Sequence, residues 1–382
     1  METILLVILK LSGLLYLIKV LDYIINWSAL LKQKRVLIND NSITISIIIA
    51  ARNEENTITN LLNDLIKQTY PSDKYEIIII DDFSDDDTYN VVNNFIIDNG
   101  SHAFQLIKQK KEDNNTFGKK KAINLGISLA KGTLIVQTDA DCRVGEEWLS
   151  TIVNNYSNSD AKMMFGLVAY NNDTTIFKKL QHLEFLSLIV SGAAAAFTKP
   201  IMCNGANLIY EKKAYEEAKS LSKSDKYASG DDVFLMLSFK KLFGNKSIKV
   251  ITDKEAIVYT EAKETLKEFI NQRIRWASKA KGYKDFDIIL TALIVLLFNL
   301  SLVLTFILSF IYNALFFPFI LFFILKLLID FPLLYKITKY INRKDLLIYY
   351  IPLQILYIPY LCFTAIAGFI FKYKWKDRVV RD

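Results

Sequence analysis

Apolar residues follow two regimes along this chain. At both ends they form runs too long for a strand or an ordinary core helix; in the middle they come as short β-branched clusters separated by polar, helix-like stretches. Thr3–Ile25 is apolar apart from Lys10, Lys19, Asp22 and a few small polar residues. Ile288–Leu325 holds no charged residue, and Leu346–Phe371 is a third long run. A membrane span takes about 20 apolar residues. The first run therefore predicts an N-terminal anchor. The second predicts two spans with a turn at Tyr312, Asn313 and Pro318, the later span continuing past Lys326 and Asp330 to Tyr335. The third run carries Pro352 and Pro359 and reads either as one more span or as a re-entrant, broken hairpin.

Between Ser42 and Asp285 the period changes. Strands are predicted at Ile43–Ala50, Tyr75–Asp82, Phe104–Lys110 and Thr133–Ala140. Helices are predicted at Asn56–Gln68, Thr88–Ile97, Gly118–Ala130 and Glu146–Asn155. Continuously apolar strands alternating with helices imply an α/β domain whose mostly parallel sheet is covered on both faces. Ligands of such sheets bind at the carboxyl ends of the strands. The organisation read from this is an anchor at 1–30, a domain at 42–285, a C-terminal membrane region of two to three spans at 287–372, and a basic tail at 373–382.

Composition sharpens this division. Hydrophobic residues make up 52% of the 382 residues, against about 45–50% in soluble domains on a count that includes glycine. The excess lies at the two ends. The net charge of +7 is spread along a chain rich in Lys, Ile and Asn, so no nucleic-acid partner is expected. Basic clusters at Lys32–Arg35 and Lys336–Asp345 place the central domain on the cytoplasmic side by the positive-inside rule. The expected location is an integral protein of a bacterial inner membrane. A single final span would leave the basic tail outside, against that rule. No basic n-region or cleavage site marks a signal peptide.

Several chemistries are excluded. The two histidines, His102 and His182, form no HExxH motif, and the three cysteines form no CxxC pair. Neither GxGxxG nor GxxxxGK[ST] occurs, so dinucleotide and P-loop sites are not expected.

Acidic residues instead recur at the strand ends: ARNEE after the first, DDFSDDD after the second, TDADC after the fourth. Asp87, Asn56 or Thr57 can be accounted for as helix caps; the Asp139-x-Asp141 pair cannot. Its two carboxylates sit two residues apart at a strand end and can point the same way. Such hard oxygens suit Mg²⁺ or Mn²⁺ shared with substrate phosphates. Asp231 and Asp232 precede an apolar helical stretch, as a helix start or as a carboxylate base. Gln272, Arg275 and Trp276 share one face of an amphipathic helix. An Arg there can grip a phosphate, and a Trp can offer a plate to a sugar ring or to the membrane interface.

Taken in order, these motifs resemble the membrane-bound family-2 glycosyltransferases, which include cellulose and hyaluronan synthases and ceramide glucosyltransferases. The resemblance runs from Ile43 to Trp276 and extends loosely to the spans. It implies a GT-A nucleotide-diphospho-sugar transferase fold (Rossmann-like, mostly parallel sheet) with N- and C-terminal transmembrane helices. It assigns Glu54, Asp81, Asp82, Lys119 (in GKKKAIN) and Asp139 to the nucleotide-sugar, Asp141 to the metal, and Asp232 to the catalytic base. Gly205, Ala206, Asn207, Asp231, Gln272, Arg275 and Trp276 are assigned to the acceptor and diphosphate. Two departures stand out: Ala50 replaces the usual proline of the first motif, and Gly230-Asp231-Asp232 stands where the family has TED.

The implied reaction is an inverting, single-displacement transfer from a nucleotide-diphospho-sugar, a UDP-sugar by preference, to a membrane-associated lipid or saccharide acceptor. The alternative is a processive polysaccharide synthase that also translocates its product. The intact acids argue against a silent scaffold, and QxxRW with the spans against a nucleotidyltransferase.

Overall fold

The computed structural model describes residues 2–33, 36, 38, 40–100, 103–109, 118–219, 231–370, 374–375 and 378–379. Lys34, Arg35, His102, Lys110, Gly230, the side chain of Asp231 and most of the basic tail lie outside the described part. In chain order the elements begin with α1 (Glu2–Leu31), β1 (Ile45–Ala51), α2 (Ile58–Leu65), β2 (Tyr75–Asp81), α3 (Thr88–Asp98), β3 (Phe104–Lys108), α4 (Lys119–Leu129), β4 (Leu134–Asp139) and α5 (Trp148–Ser157). Each of these falls within a few residues of its sequence-based expectation, except that α1 continues six residues beyond Ile25. The second half adds β5 (Met163–Gly166), β6 (Val168–Asn171), α6 (Ile176–Ala196), β7 (Leu208–Glu211), α7 (Lys212–Lys219), α8 (Asp231–Phe243), β8 (Ile248–Ile251), β9 (Val258–Glu261) and α9 (Leu266–Ser278). It ends with α10 (Phe286–Ser309), α11 (Phe316–Tyr340) and α12 (Tyr350–Ile370).

The chain divides into two compact units. One, built from Gln33–Asn171, Met202–Glu261 and Lys374–Asp382, is an α/β unit. Its seven-stranded sheet has the order β3-β2-β1-β4-β7-β5-β8. β3, β2, β1 and β4 run parallel, β7 runs antiparallel to both β4 and β5, and β8 is parallel to β5. Ile47–Ile49, Ile77–Ile80 and Leu134–Val136 are fully buried, as both-faces-covered parallel strands require. At the amino ends of the strands, Ser46 donates to buried Glu76 (2.6 Å) and accepts the Gly132 amide (2.8 Å). Glu76, which also accepts the Lys131 amide (2.6 Å), is therefore a structural acid. β6 and β9 form a separate parallel pair.

The other unit is Met1–Lys32, Asn172–Ile201 and Ala262–Tyr373. The expected 42–285 domain is thus divided, because α6 and α9 belong with the apolar helices: α6 packs on α1 and α11, and α9 packs on α12. Among the described residues, four helices here are long and apolar enough to cross a membrane: Glu2–Leu31, Phe286–Ser309, Asn313–Tyr340 and Lys344–Gly368. Leu9, Tyr16, Val20, Ile294, Phe298, Leu302 and Ile358 form a shared core, while Ile4, Leu11, Ile18, Phe317, Leu328 and Ile355 face outward. Lys326 is buried with Asp330, and Tyr16 and Gln354 also donate to that carboxylate (2.8 and 3.2 Å). This satisfies the charges inside the second predicted C-terminal span. Pro318 lies in the first turn of α11 rather than in the preceding turn. There the missing N–H has no intrahelical role. α12 is one continuous helix through Pro359, with Pro352 in its first turn, so the third run is not a broken hairpin.

Candidate active site

Strand register builds the site. Ala50 of β1 lies opposite Asp139 of β4, and Ala51 lies opposite Asp81 of β2. Adjacent strands are about 4.8 Å apart, so Asp81 and Asp139 flank β1 at about 10 Å across the sheet. The loops beyond β1 and β2 are tied together by Arg52, which the sequence reading passed over. Arg52 is buried and donates to the Asp82 carbonyl (2.9 Å), the Phe83 carbonyl and the Asp85 carboxylate (2.9 Å). Asn53 and Phe83 sit in the left-handed region, at φ 51° and 56°. For a bulky residue such as Phe83 this conformation is an outlier, of the kind that concentrates at functional loops. Asp81 and Asp82 are both 1% exposed. Asp81 Oδ1 accepts the Ser84 amide at 3.4 Å, and its Oδ2 has no hydrogen-bond partner among the described residues. Glu54, at the entry to α2, accepts the Thr57 hydroxyl (2.7 Å), and its amide donates to Thr88 (2.7 Å).

The chemistry-bearing cluster gathers at the end of β4. Gly118, at φ 135°, turns the chain into α4, and the first residue of that helix, Lys119, forms an ion pair with Asp139. Burial works to depress the Lys119 ammonium, but Asp139, Asp232 and Asp141 outweigh it and hold its pKa above the ordinary 10.5. Asp232, in the first turn of α8, receives the Gly205 amide on Oδ2 (3.2 Å) and the Val233 amide on Oδ1 (2.8 Å). The Gly205 carbonyl in turn accepts Gln137 Nε2 from β4 (3.3 Å), which links the Asp232 support to the Asp139 strand. Cys142 is buried, with Sγ 3.9 Å from Asp141 Oδ1. Burial, then Asp141 and Asp139, push its thiol pKa well up and disfavour the thiolate. Among the described residues no three His, Cys, Asp or Glu side chains are grouped to hold a metal ion. The two DxD carboxylates stand at the end of β4, with Asp139 partnered by Lys119.

Lys119, Asp139, Asp141, Gly205 and Asp232 are thus brought into one unit. Ala206 and Asn207 share a 3₁₀ turn with Gly205, but Asn207 does not present itself to a ligand. It is 0% exposed, donates to the Leu167 and Ala256 carbonyls (3.1 and 2.8 Å), and accepts the Trp148 indole N–H (3.3 Å). Its side chain is a buried tie between α5, the turn from β5 to β6 and the segment before β9, set apart from the carboxylates at the end of β4. A Cβ on Gly166 would lie 2.1 Å from Asn207 Nδ2, so that glycine makes room for it.

Gln272, Arg275 and Trp276 belong to α9 in the helical unit. The helix starts with a full capping box, Thr265 with Glu268. All three side chains are partly exposed, while Arg273 between them is buried. In the same unit His182 is buried and faces Asp173 at 2.8 Å, and Arg343 grips both Asp173 oxygens (3.0 and 2.8 Å). Only the fold supplies these partners, since Arg343 lies 170 residues from Asp173.

A family model described as "Glycosyl transferase family 2" matches residues 46–218, and one described as "Glycosyl transferase family group 2" matches residues 134–371. The second spans more than half of the chain, and this chain belongs to the family-2 glycosyltransferases. It is 33% identical over 109 residues (28% of the chain, 22% of the relative) to the beta-monoglucosyldiacylglycerol synthase of Trichormus variabilis. It is 26% identical over 238 residues (61% of the chain, 53% of the relative) to the poly-beta-1,6-N-acetyl-D-glucosamine synthase of Staphylococcus epidermidis. The chain therefore spans about half or less of the length of these curated relatives. Among solved structures, the mannosyltransferase PcManGT from Pyrobaculum calidifontis, in complex with GDP-Man and Mn²⁺, superposes with a TM-score of 0.58. The identity is 17%, covering 95% of this chain and 99% of that one. The likeness is one of fold: the α/β unit has the GT-A glycosyltransferase fold that the motifs implied.

Proposed function

We propose that this chain transfers a sugar, with inversion, from a nucleotide-diphospho-sugar to a lipid or saccharide acceptor held at the membrane. The observation that carries the reading is the convergence of Lys119, Asp139, Asp141 and Asp232 at the end of β4, with Gly205 backing Asp232. Asp232, its oxygens held by two backbone amides, takes the proton from the acceptor hydroxyl as general base. Lys119 meets the negative charge that develops on the departing nucleoside diphosphate. The unpartnered Oδ2 of buried Asp81 is an acceptor for a donor group of the base or ribose.

Asp139 and Asp141 would hold a hard divalent cation, Mg²⁺ or Mn²⁺, whose oxygen-ligand preference their carboxylates fit. Lys119 offsets the charge of Asp139, which makes Asp141 the principal ligand. When bound, such an ion supplies Lewis-acid neutralisation of the leaving group. The four apolar helices found among the described residues support a membrane setting, and the basic clusters at Lys32–Arg35 and Lys336–Asp345 favour the cytoplasmic side for the α/β unit.

A second reading, a processive synthase that moves its product across the bilayer, is favoured by the similarity to the poly-N-acetylglucosamine synthase over 61% of the chain. One experiment tests both. Purified chain in lipid is offered a panel of UDP- and GDP-sugars with Mg²⁺ or Mn²⁺, and released nucleoside diphosphate and product mass are measured. A single added sugar supports the first reading and a ladder supports the second. The absence of any metal-dependent nucleoside diphosphate release across the panel overturns both.

A further inference from the structure

Arg273 lies inside the QRIRW stretch of α9 but turns away from the exposed face. It is 4% exposed, and its partner Glu184 of α6 is 3% exposed. Arg273 Nε donates to Glu184 Oε1 at 3.2 Å and Nη2 donates to Oε2. The Tyr360 hydroxyl of α12 adds a bond to Oε1 at 3.3 Å. The fork is therefore held on one edge. Its remaining nitrogen, Nη1, donates to Gln272 Oε1 at 2.5 Å, and its flat face lies 4.2 Å from the Trp276 ring centroid. Phe185, the residue after Glu184, meets the same indole at 6.0 Å. One buried guanidinium thus touches two of the three motif side chains.

A buried ion pair is weak evidence for stability, since an apolar pair of similar volume is often as stable or more so. What such a substitution removes is geometry: a planar fork that fixes direction, and a cation face that fixes a ring. We propose that Arg273, oriented by Glu184, is a positioning residue that sets the side-chain directions of Gln272 and Trp276, and through them the seating of the acceptor. This rests on the glycosyltransferase reading above and on the acceptor role that the family resemblance gives QxxRW.

The test uses the full chain in lipid nanodiscs, with kcat, KM for the donor, nucleoside diphosphate binding and thermal unfolding all measured. The variants are Glu184→Leu/Arg273→Met together, Arg273→Lys, Gln272→Ala and Trp276→Ala. The double variant is expected to keep its unfolding temperature and its nucleoside diphosphate affinity while kcat falls about 100-fold, the size of loss that a misplacement of about 1 Å produces. Arg273→Lys is expected to keep the fold, because the charge still answers Glu184, and yet to remain impaired, because an ammonium has neither fork nor face. If either variant turns over at the wild-type rate while Gln272→Ala and Trp276→Ala are impaired, the positioning role is overturned and the reaction stands. If Gln272→Ala and Trp276→Ala themselves retain full transfer, the reading of the motif is overturned instead. Should the double variant fail to fold, Arg273→Lys decides by its kcat.

Discussion

The amide of Gly205 donates to Oδ2 of Asp232 across 3.2 Å, joining the turn before β7 to the first turn of α8. The bond fixes one carboxylate oxygen, and the Val233 amide fixes the other. A carboxylate held this way is oriented to accept a proton. Asp232→Asn keeps an oxygen able to accept the Gly205 amide. It should fold and bind donor as the native chain does, with transfer reduced by about 10²–10⁴-fold, the usual contribution of a general base. Stopped-time assays of product, alongside equilibrium binding of the nucleoside diphosphate, separate the two effects; retained transfer would remove Asp232 from the role.

Asp141→Ala should weaken nucleoside diphosphate binding only when Mg²⁺ or Mn²⁺ is present. Calorimetric titrations with and without chelator make the comparison. Equal affinities for variant and native chain in the metal-containing arm would count against Asp141 as a ligand.

Asn207→Ala should lower stability rather than raise the KM for acceptor. It strips a partner from Trp148 Nε1 and from the Ala256 carbonyl, while the Leu167 carbonyl keeps the Val258 amide. Each buried polar group left unsatisfied costs about 1–3 kcal/mol. Denaturant unfolding of the purified chain reads this directly. A native unfolding midpoint combined with a changed KM would return Asn207 to the acceptor site.

Lys119 supplies a pH test. Its folded pKa is raised above the ordinary 10.5 by Asp139, Asp232 and Asp141 acting against burial. A raised base contributes stability that is fully present below the unfolded value and is lost as pH rises through the folded one. The stability gap between native chain and Lys119→Met should therefore be flat from neutral pH to about 10 and then close. A gap that shrinks between pH 7 and 9 would contradict the ion-paired state.

His182 gives the opposite sign. Burial holds its pKa below 6.5, against the pull of Asp173 and Asp345 and with the help of Arg343. The unfolded chain then binds more protons, so stability is present above pH 6.5 and is lost as pH falls through the folded pKa. His182→Gln should flatten that acid limb. Unfolding midpoints measured from pH 7.5 down to pH 5 decide, and an unchanged slope in the variant would assign the limb to another group.

The sequence by itself determined the features that are local. Unbroken apolar runs marked the membrane-length helices because length alone distinguishes them from core elements. The strands Ile45–Ala51, Tyr75–Asp81 and Leu134–Asp139 were legible because each is a β-branched run bounded by turn chemistry. With them came the positions of Asp81, Asp139 and Asp141, since an acid after a parallel strand must emerge at the ligand edge. The later strands, four residues each in β5, β7, β8 and β9, are too short to show a period, and β7 enters antiparallel. Only tertiary structure placed them. It also decided that Asn207 is a buried tie, and that α6 and α9 belong to the helical unit, where Glu184 meets Arg273 across 89 residues. These are choices of partner between distant segments. Burial and hydrogen-bond satisfaction settle such choices collectively once the chain is folded, and no local pattern encodes them.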